Sequence, residues 1–257
     1  MKPRTVSATR YVTPLREGGS MPAVIEADDD GMYVLKFRGA GQGPKALIAE
    51  LVAGEIARAL ELPIPEIVLV ELDADLARTE ADPEIQDLIR ASDGLNLALD
   101  YLPGAVNFDP VAEQPDPDLA SRIVWFDALV SNVDRTPRNT NLLVWHRRLQ
   151  LIDHGAALYF HHGWDGNIDG ADRAFTMIRD HVLLPWAERL ADVDAELAAK
   201  LPEPVIAGIV DAIPDSWLQG PDAFADPPTQ RMAYKHYLQR RLLQRQAFVE
   251  EAIRARA

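Results

Sequence analysis

Two stretches decide the reading of this chain: Ser131-Asn132-Val133-Asp134-Arg135-Thr136-Pro137-Arg138-Asn139, and then Leu151-Ile152-Asp153-His154-Gly155. The first is a polar loop that follows an apolar helical run, Leu119 to Ser131, with Asp118 as candidate cap. The second ends a strand and is broken by glycine. Between them, Asn141 to Trp145 and Arg148 to Ile152 read as two short strands joined by His146 and Arg147. Asp134 and Asn139 are five positions apart, and Asp153 lies 19 after Asp134. A hairpin there brings both loops side by side, and loops held by rigid elements are where site residues concentrate. One carboxylate then accepts a hydroxyl proton while the other, with the Asn amide oxygen, holds a divalent cation. Oxygen ligands of this kind suit Mg²⁺. Plain turn chemistry also places Asp, Asn and Gly in such loops, but two motifs in this order around a hairpin favour a site.

Working outward, the N-terminal half carries strand signals. Pro22 to Glu26 and Gly31 to Phe37 flank a turn of Asp28, Asp29, Asp30 and Gly31, predicting a hairpin. Pro44 opens a helix to about Leu60, with Leu47, Leu51, Ile56 and Leu60 on one apolar stripe, and Pro63 and Pro65 end it. Ile67 to Leu72 and Gly94 to Tyr101 read as further strands. The expected unit is a small sheet with one helix packed on it. Lys36 sits on the β-forming run Tyr33-Val34-Leu35-Lys36-Phe37, and Glu50 falls on the helix stripe. A carboxylate facing a sheet is costly unless it meets a cation, and Lys36 is the obvious partner. Upstream, the glycines of Gly18-Gly19-Ser20 allow close backbone approach to phosphate oxygens. Gly39 to Lys45 lacks both the Gly-Lys-Ser/Thr ending and the third glycine of a dinucleotide fingerprint, so it reads as a connection near the phosphates.

The acidic stretch Leu72 to Asp93 and the proline-bearing Phe108 to Asp118 read as linkers. A boundary near residue 104 separates residues 1–103 from a larger, mostly helical part, 104–257. Its later helices are expected over Val182 to Leu190, Asp194 to Lys200 and Val205 to Ile213, with a long last one from Thr229. That last helix is expected to keep Arg231, Lys235, Arg240, Arg241 and Arg245 on a solvated basic face.

Composition narrows the chemistry. The 257 residues include no cysteine, which removes disulfides, thiolate metal sites and thiol nucleophiles. With 26 Lys and Arg against 40 Asp and Glu, the formal charge is −14, a field that opposes nucleic acid and anionic membranes. No signal-like apolar run opens the chain and no stretch is long enough to span a bilayer. The expectation is a cytoplasmic protein without membrane or direct nucleic-acid partners.

A catalytic-loop Asp, an Asn five residues on and a metal-binding Asp after a hairpin is the order used by protein-kinase-like phosphotransferases, whose small lobe also supplies a strand Lys and a helix Glu. Gly18-Gly19-Ser20, Lys36, Ala49-Glu50, Leu62-Pro63-Ile64-Pro65, Tyr101-Leu102-Pro103-Gly104, Asn132 to Asn139 and Ile152-Asp153-His154-Gly155 together resemble the HipA-like kinases, particularly a short bacterial branch. More distantly the chain is similar to the phosphatidylinositol 3/4-kinase core. The resemblance covers most of residues 15–190. It implies an α+β, protein-kinase-like bilobal fold, with a small sheet-plus-helix N-lobe and a larger, mostly helical C-lobe. It also implies use of ATP and Mg²⁺, transfer to a protein Ser or Thr hydroxyl, and room for a protein regulator. Asp134 would be the catalytic Asp, Asn139 and Asp153 the metal ligands, and Lys36 the phosphate lysine. Leu99, Asp100, Tyr101 and Leu102 would form the hinge that offers backbone groups to adenine.

One departure stands out: both related groups usually carry His two residues after the catalytic Asp, and here that position is Thr136. Two alternatives follow. One is a nucleotide-binding pseudokinase or interaction module. The other is a metal-dependent hydrolase built on Asp153, His154, His161, His162 and Asp165. Nucleotidyl transfer is a variant of the main reading. The segment after Asp153 is expected to be mobile, with Gly163, Gly166 and Gly170 and no Ser, Thr or Tyr between His161 and Ala174.

Overall fold

The computed structural model describes residues 2–15, 21–41, 43–219 and 224–257. Five strands come from the first hundred residues: β1 (Thr5–Pro14), β2 (Ala23–Ala27), β3 (Met32–Lys36), then, after helix α1 (Pro44–Ala59), β4 (Ile67–Leu72) and, after helix α2 (Pro83–Ala91), β5 (Gly94–Asp100). They are more than the expected open sheet. The order β1-β2-β3-β5-β4 closes into a barrel, because β1 pairs in parallel with β4 through Thr5–Leu69 and Val6–Val70. Nothing in the polar sequence of β1 signals it; both of its edges are used, by β2 and β4, and that pairing makes it a strand.

Strand alternation explains how the barrel is filled and what leans on it. Val68, Val70, Leu35, Ile25 and Ala98 point inward and form a core of their own. The other face of β4 and β5, with Ile67, Leu69, Leu97 and Leu99, joins a second, larger core. That core takes in α1 and the whole C-terminal part, so α1 is packed more into the C-terminal part than into the barrel. Gly54 makes the approach possible: a Cβ there would collide with Ile67 Cδ1.

The stretch Leu72 to Asp93 is not a linker. A 3₁₀ turn (Ala74–Thr79) and α2 occupy it, and Ala77, Ile85 and Ile89 plug the barrel's core. Asp82 caps α2 by accepting from Glu84 N–H, with Pro83 in the first turn.

The C-terminal part begins with β6 (Val106–Asn107), which pairs with β7 (Leu142–Trp145), itself paired with β8 (Arg148–Leu151). Between β6 and β7 lies α3 (Pro117–Val130), capped by Asp116, not Asp118, with Ser131 in the left-handed region at its end. The β7–β8 turn has His146 and Arg147 both at positive φ, as a two-residue hairpin of matching twist requires. After the site come α4 (Leu190–Ala199), α5 (Glu203–Asp211), α6 (Pro227–Leu243) and α7 (Gln246–Arg256).

Two expectations fail here for local reasons. Val182 to Leu190 forms only a 3₁₀ turn at Leu184–Trp186. Pro185 interrupts it, and the amides of Val182 and Leu183 go to Arg135 O and His181 Nδ1 instead of a helix. The last helix breaks between Leu243 and Gln246, and its basic residues are paired rather than left to solvent. Lys235 meets Asp211 at 2.7 Å, Arg245 meets Asp194 at 3.0 Å, and Arg240 clasps Asp172. Buried Arg241 donates to the carbonyls of Leu129 and Ala128. A basic face in sequence thus becomes a partly exposed ion-pair seam with one buried member, Arg241. Among the described residues no helix is long and apolar enough to cross a membrane.

Candidate active site

Lys36 ends β3 and Asp153 follows β8, 117 positions apart in sequence, yet Lys36 Nζ donates to Asp153 Oδ1 at 2.6 Å. The same ammonium stands 3.7 Å from Oε2 of Glu50 on α1. The predicted Lys36–Glu50 pair is therefore present, with Asp153 as a third member. Glu50 is buried, and its Oε1 lies 3.2 Å from His154 Nδ1, while its Oε2 makes no hydrogen bond. His154 packs edge-on against Phe126 of α3. Burial alone would push Lys36 down, but the charges of Glu50 and Asp153 hold it above its ordinary value. Burial likewise opposes the Glu50 charge; Lys36, then His154, keep it below the usual carboxylate range. Asp153 has φ of 53°, a left-handed conformation that Asp tolerates better than most residues.

On the other loop, Asn139 Nδ2 donates to Asp134 Oδ2 at 2.8 Å, and Asn141 Nδ2 reaches the same oxygen at 3.3 Å. Because a carboxylate can only accept, the Asn139 amide must turn its nitrogen to Asp134, leaving Oδ1 outward. A bridge between Thr136 and Asn139 closes the loop.

One cleft of about 1080 Å³ is lined by Lys36, Asn139 and Asp153 together with Leu99, Asp100, Tyr101 and Leu102; Asp134 is not among its lining residues. Two backbone amides of the Leu99 to Leu102 segment are already committed: Asp100 N–H to Glu66 O and Tyr101 N–H to Met32 O. Gly18, Gly19 and Ser20 lie outside the described residues. Lys45 Nζ donates to His161 O at 3.0 Å, tying the start of α1 to the segment after Asp153.

The sequence reading passes over the group that holds the catalytic-type loop in place. Asp127 of α3 is fully buried. Its Oδ1 accepts from Asn132 Nδ2 at 2.9 Å. Its Oδ2 accepts from Arg135 Nε at 2.6 Å and stands 2.9 Å from His181 Nε2. Arg135 continues to the carbonyl oxygens of Asn141 and Ile152, so it ties the Asp134 loop to the residue before Asp153. His181 Nδ1 accepts the Leu183 N–H, which puts the ring proton on Nε2, facing Asp127. Burial pushes His181 down, against the pull of Asp127, and Asp127 itself is held well below the usual range by Arg135 and His181 despite burial. The signal was available: a lone carboxylate inside Ile123-Val124-Trp125-Phe126-Asp127-Ala128-Leu129 demands a cation, as Glu50 does.

The family model described as HipA-like kinase matches residues 9–251. The chain belongs to the HipA-like kinases. The Helicobacter pylori proinflammatory kinase CtkA resembles this HipA-like kinase with a TM-score of 0.55 at 16% identity, over 96% of this chain and 97% of that one. The Golgi casein kinase, solved with Mn/ADP bound, gives 0.46 at 10% identity, over 95% of this chain and 74% of that one. No curated protein matches the chain. In fold the HipA-like kinase is thus protein-kinase-like, with mixed helix and strand content.

The histidines considered for hydrolysis are dispersed in this kinase. His154 Nδ1 faces Glu50, and His161 Nδ1 faces Tyr234 at 3.0 Å. Asp165 accepts from Asn167 N–H in a local turn. Among the described residues no cluster of three or more His, Asp or Glu is placed to hold a metal. The expected mobility after Asp153 also meets an anchor. Phe160 stacks on Tyr237 with centroids 3.5 Å apart, and Trp164 packs edge-on against Phe160 and Tyr234.

Proposed function

We propose that this HipA-like kinase transfers the γ-phosphoryl group of ATP, with Mg²⁺, to a Ser or Thr hydroxyl of a protein. The observation that best supports this is that Lys36, paired with buried Glu50 and with Asp153, lines one cleft together with Asp153 and Asn139. We read residues 1–103 as the nucleotide-covering N-lobe and 104–257 as the C-lobe. The outward Asn139 Oδ1 and the Asp153 carboxylate fit Mg²⁺, a hard cation that takes oxygen donors and keeps substrate phosphates among its ligands. When bound, the cation neutralises phosphate charge. Lys36 then exchanges Asp153 for phosphate oxygens and stays oriented by Glu50, with His154 bracing Glu50 from behind. Backbone groups of Leu99 to Leu102 receive adenine. Asp134 orients the acceptor hydroxyl and takes its proton.

Phosphoryl transfer needs positioning and charge neutralisation more than covalent chemistry, and none of these roles requires a His at position 136. The test is incubation with γ-labelled ATP and Mg²⁺, alone and with cell extract, for wild type and Asp153→Ala. Label on protein Ser or Thr with the wild type alone is expected. Tight ATP binding without turnover would favour the pseudokinase, and a whole nucleotide on the target would show nucleotidyl transfer.

A further inference from the structure

The loop that carries Asp134 has two sides. Asn139 belongs to the nucleotide-type cleft, whereas Val133 and Thr136 line a second cavity of about 820 Å³. Pro137 and Arg138 line both, so the loop is a ridge between the two spaces. Asp134 lines neither space itself; it follows Val133, which lines the second cavity, and accepts from Asn139, which lines the cleft.

The second cavity has a charge unlike the rest of the molecule. Arg138, Arg179 and Arg256 line it, with Asp180 as the one carboxylate among its described lining residues, in a chain of formal charge −14. Neither arginine contact inside the rim is strong. Arg179 is 3.6 Å from Asp180 with side chains 73% and 61% exposed, and Arg256 is 3.2 Å from Glu188, itself 60% exposed. Exposed pairs of this kind exchange readily for a better partner. Between the charges the wall is apolar, with Val182, Leu184, Pro185 and half-exposed Met177. A free inorganic anion would not use that wall; a peptide with both acidic and apolar side chains would.

We propose that this cavity is the acceptor subsite, and that it selects a Ser or Thr hydroxyl on an extended protein segment with acidic residues beside it. The inference rests on the phosphotransfer reading above and supplies its substrate class. In the step, the acceptor Oγ bonds to the γ-phosphorus while the bond from that phosphorus to the β,γ-bridging oxygen breaks. Its electron pair leaves with ADP. The hydroxyl proton passes to Asp134 Oδ1, because both amide contacts to that carboxylate are at Oδ2.

The test uses the full chain and three Ser peptides that differ only in flanking Glu, Ala or Lys. Wild type is compared with Arg179→Glu, Arg256→Glu and the double variant, with ATP hydrolysis and the KM for ATP measured alongside. The wild type is expected to favour the Glu peptide. The double variant is expected to lose about tenfold in kcat/KM on it, chiefly through KM. It should gain on the Lys peptide and keep its KM for ATP. A wild type indifferent to flanking charge, or a double variant with unchanged peptide KM, overturns the subsite. ATP hydrolysis with no peptide labelled overturns the subsite but leaves the nucleotide reading standing. No ATP turnover under any condition overturns both.

Discussion

The molecule contains two clusters built from the same parts. One joins a carboxylate of α3, Asp127, with Arg135 and His181; the other joins a carboxylate of α1, Glu50, with Lys36 and His154. In the first, both oxygens of Asp127 are satisfied, and its pair with Arg135 is completely closed to solvent. In the second, Glu50 Oε2 lacks a hydrogen bond and the third member, Asp153, is 41% exposed along the cleft. The difference is in how the acceptor capacity of the carboxylate is filled. A buried carboxylate with both oxygens used and no open edge is scaffold. A buried carboxylate paired with a cation that itself lines an open cleft is a candidate functional site. The closed cluster also positions the open one, since Arg135 holds the backbone of Ile152 next to Asp153.

Substitutions can break or sharpen that contrast. The largest effect is expected outside both clusters, on the neighbouring loop: Asp134→Ala should cut phosphotransfer turnover by about 10²–10⁴-fold, the usual range for losing general-base help. Thermal melting should move little, and calorimetry beside steady-state kinetics will show whether the loss is chemical. Next comes the closed cluster. Asp127→Ala leaves Arg135 charged and buried without its partner and should cost about 3–5 kcal/mol, read from denaturant midpoints. If Asp127→Ala keeps full stability, the distinction between the clusters collapses.

Glu50→Gln is intermediate. It keeps the shape but removes the charge that sits behind Lys36, and should cost about 1.5–3 kcal/mol of stability together with a higher KM for ATP. A stability loss without any change in nucleotide affinity would make the second cluster scaffold as well.

Acidification has the smallest effect per group. His161 is pushed down to about 3, chiefly by burial and then by His162 and Lys45, and His181 is also lowered. His161 stays neutral in the fold over this range, and folded His181 takes up its proton less readily than the unfolded chain does. Stability should therefore be flat above about pH 6.5 and fall below it by up to about 1.4 kcal/mol per pH unit for each group. Asp127 and Glu50 add to the loss only at lower pH. Their contribution is full above the ordinary carboxylate pKa and disappears as pH falls through their depressed values. Denaturant midpoints between pH 8 and pH 4 will trace the first part, and His161→Gln should flatten it.

Much of the site was legible in the order of residues alone, for a particular reason. Asp134, Asn139 and Asp153 lie within 20 residues around a hairpin, and the structure joins Asp134 to Asn139 and sets Asn139 and Asp153 on one cleft. Lys36 with Glu50 was legible because a charge on an apolar face needs a counter-charge. The same rule applied to Asp127 would have found its cluster, but its partners, eight and 54 residues further on, have no local spacing to betray them.

The amino-acid order by itself determined the strands β2 to β5, helix α1, the hairpin β7–β8 and the residue types that gather at the cleft, because alternation, prolines and glycines act over a few residues. Tertiary structure alone decided that β1 is a strand, that α2 seals a barrel, and that the basic residues of α6 find partners, Arg240 and Lys235 in Asp172 and Asp211 and buried Arg241 in the carbonyls of α3. Those outcomes depend on which distant surface each segment meets, and an edge hydrogen bond or a buried counter-charge from far along the chain outweighs what the segment prefers alone.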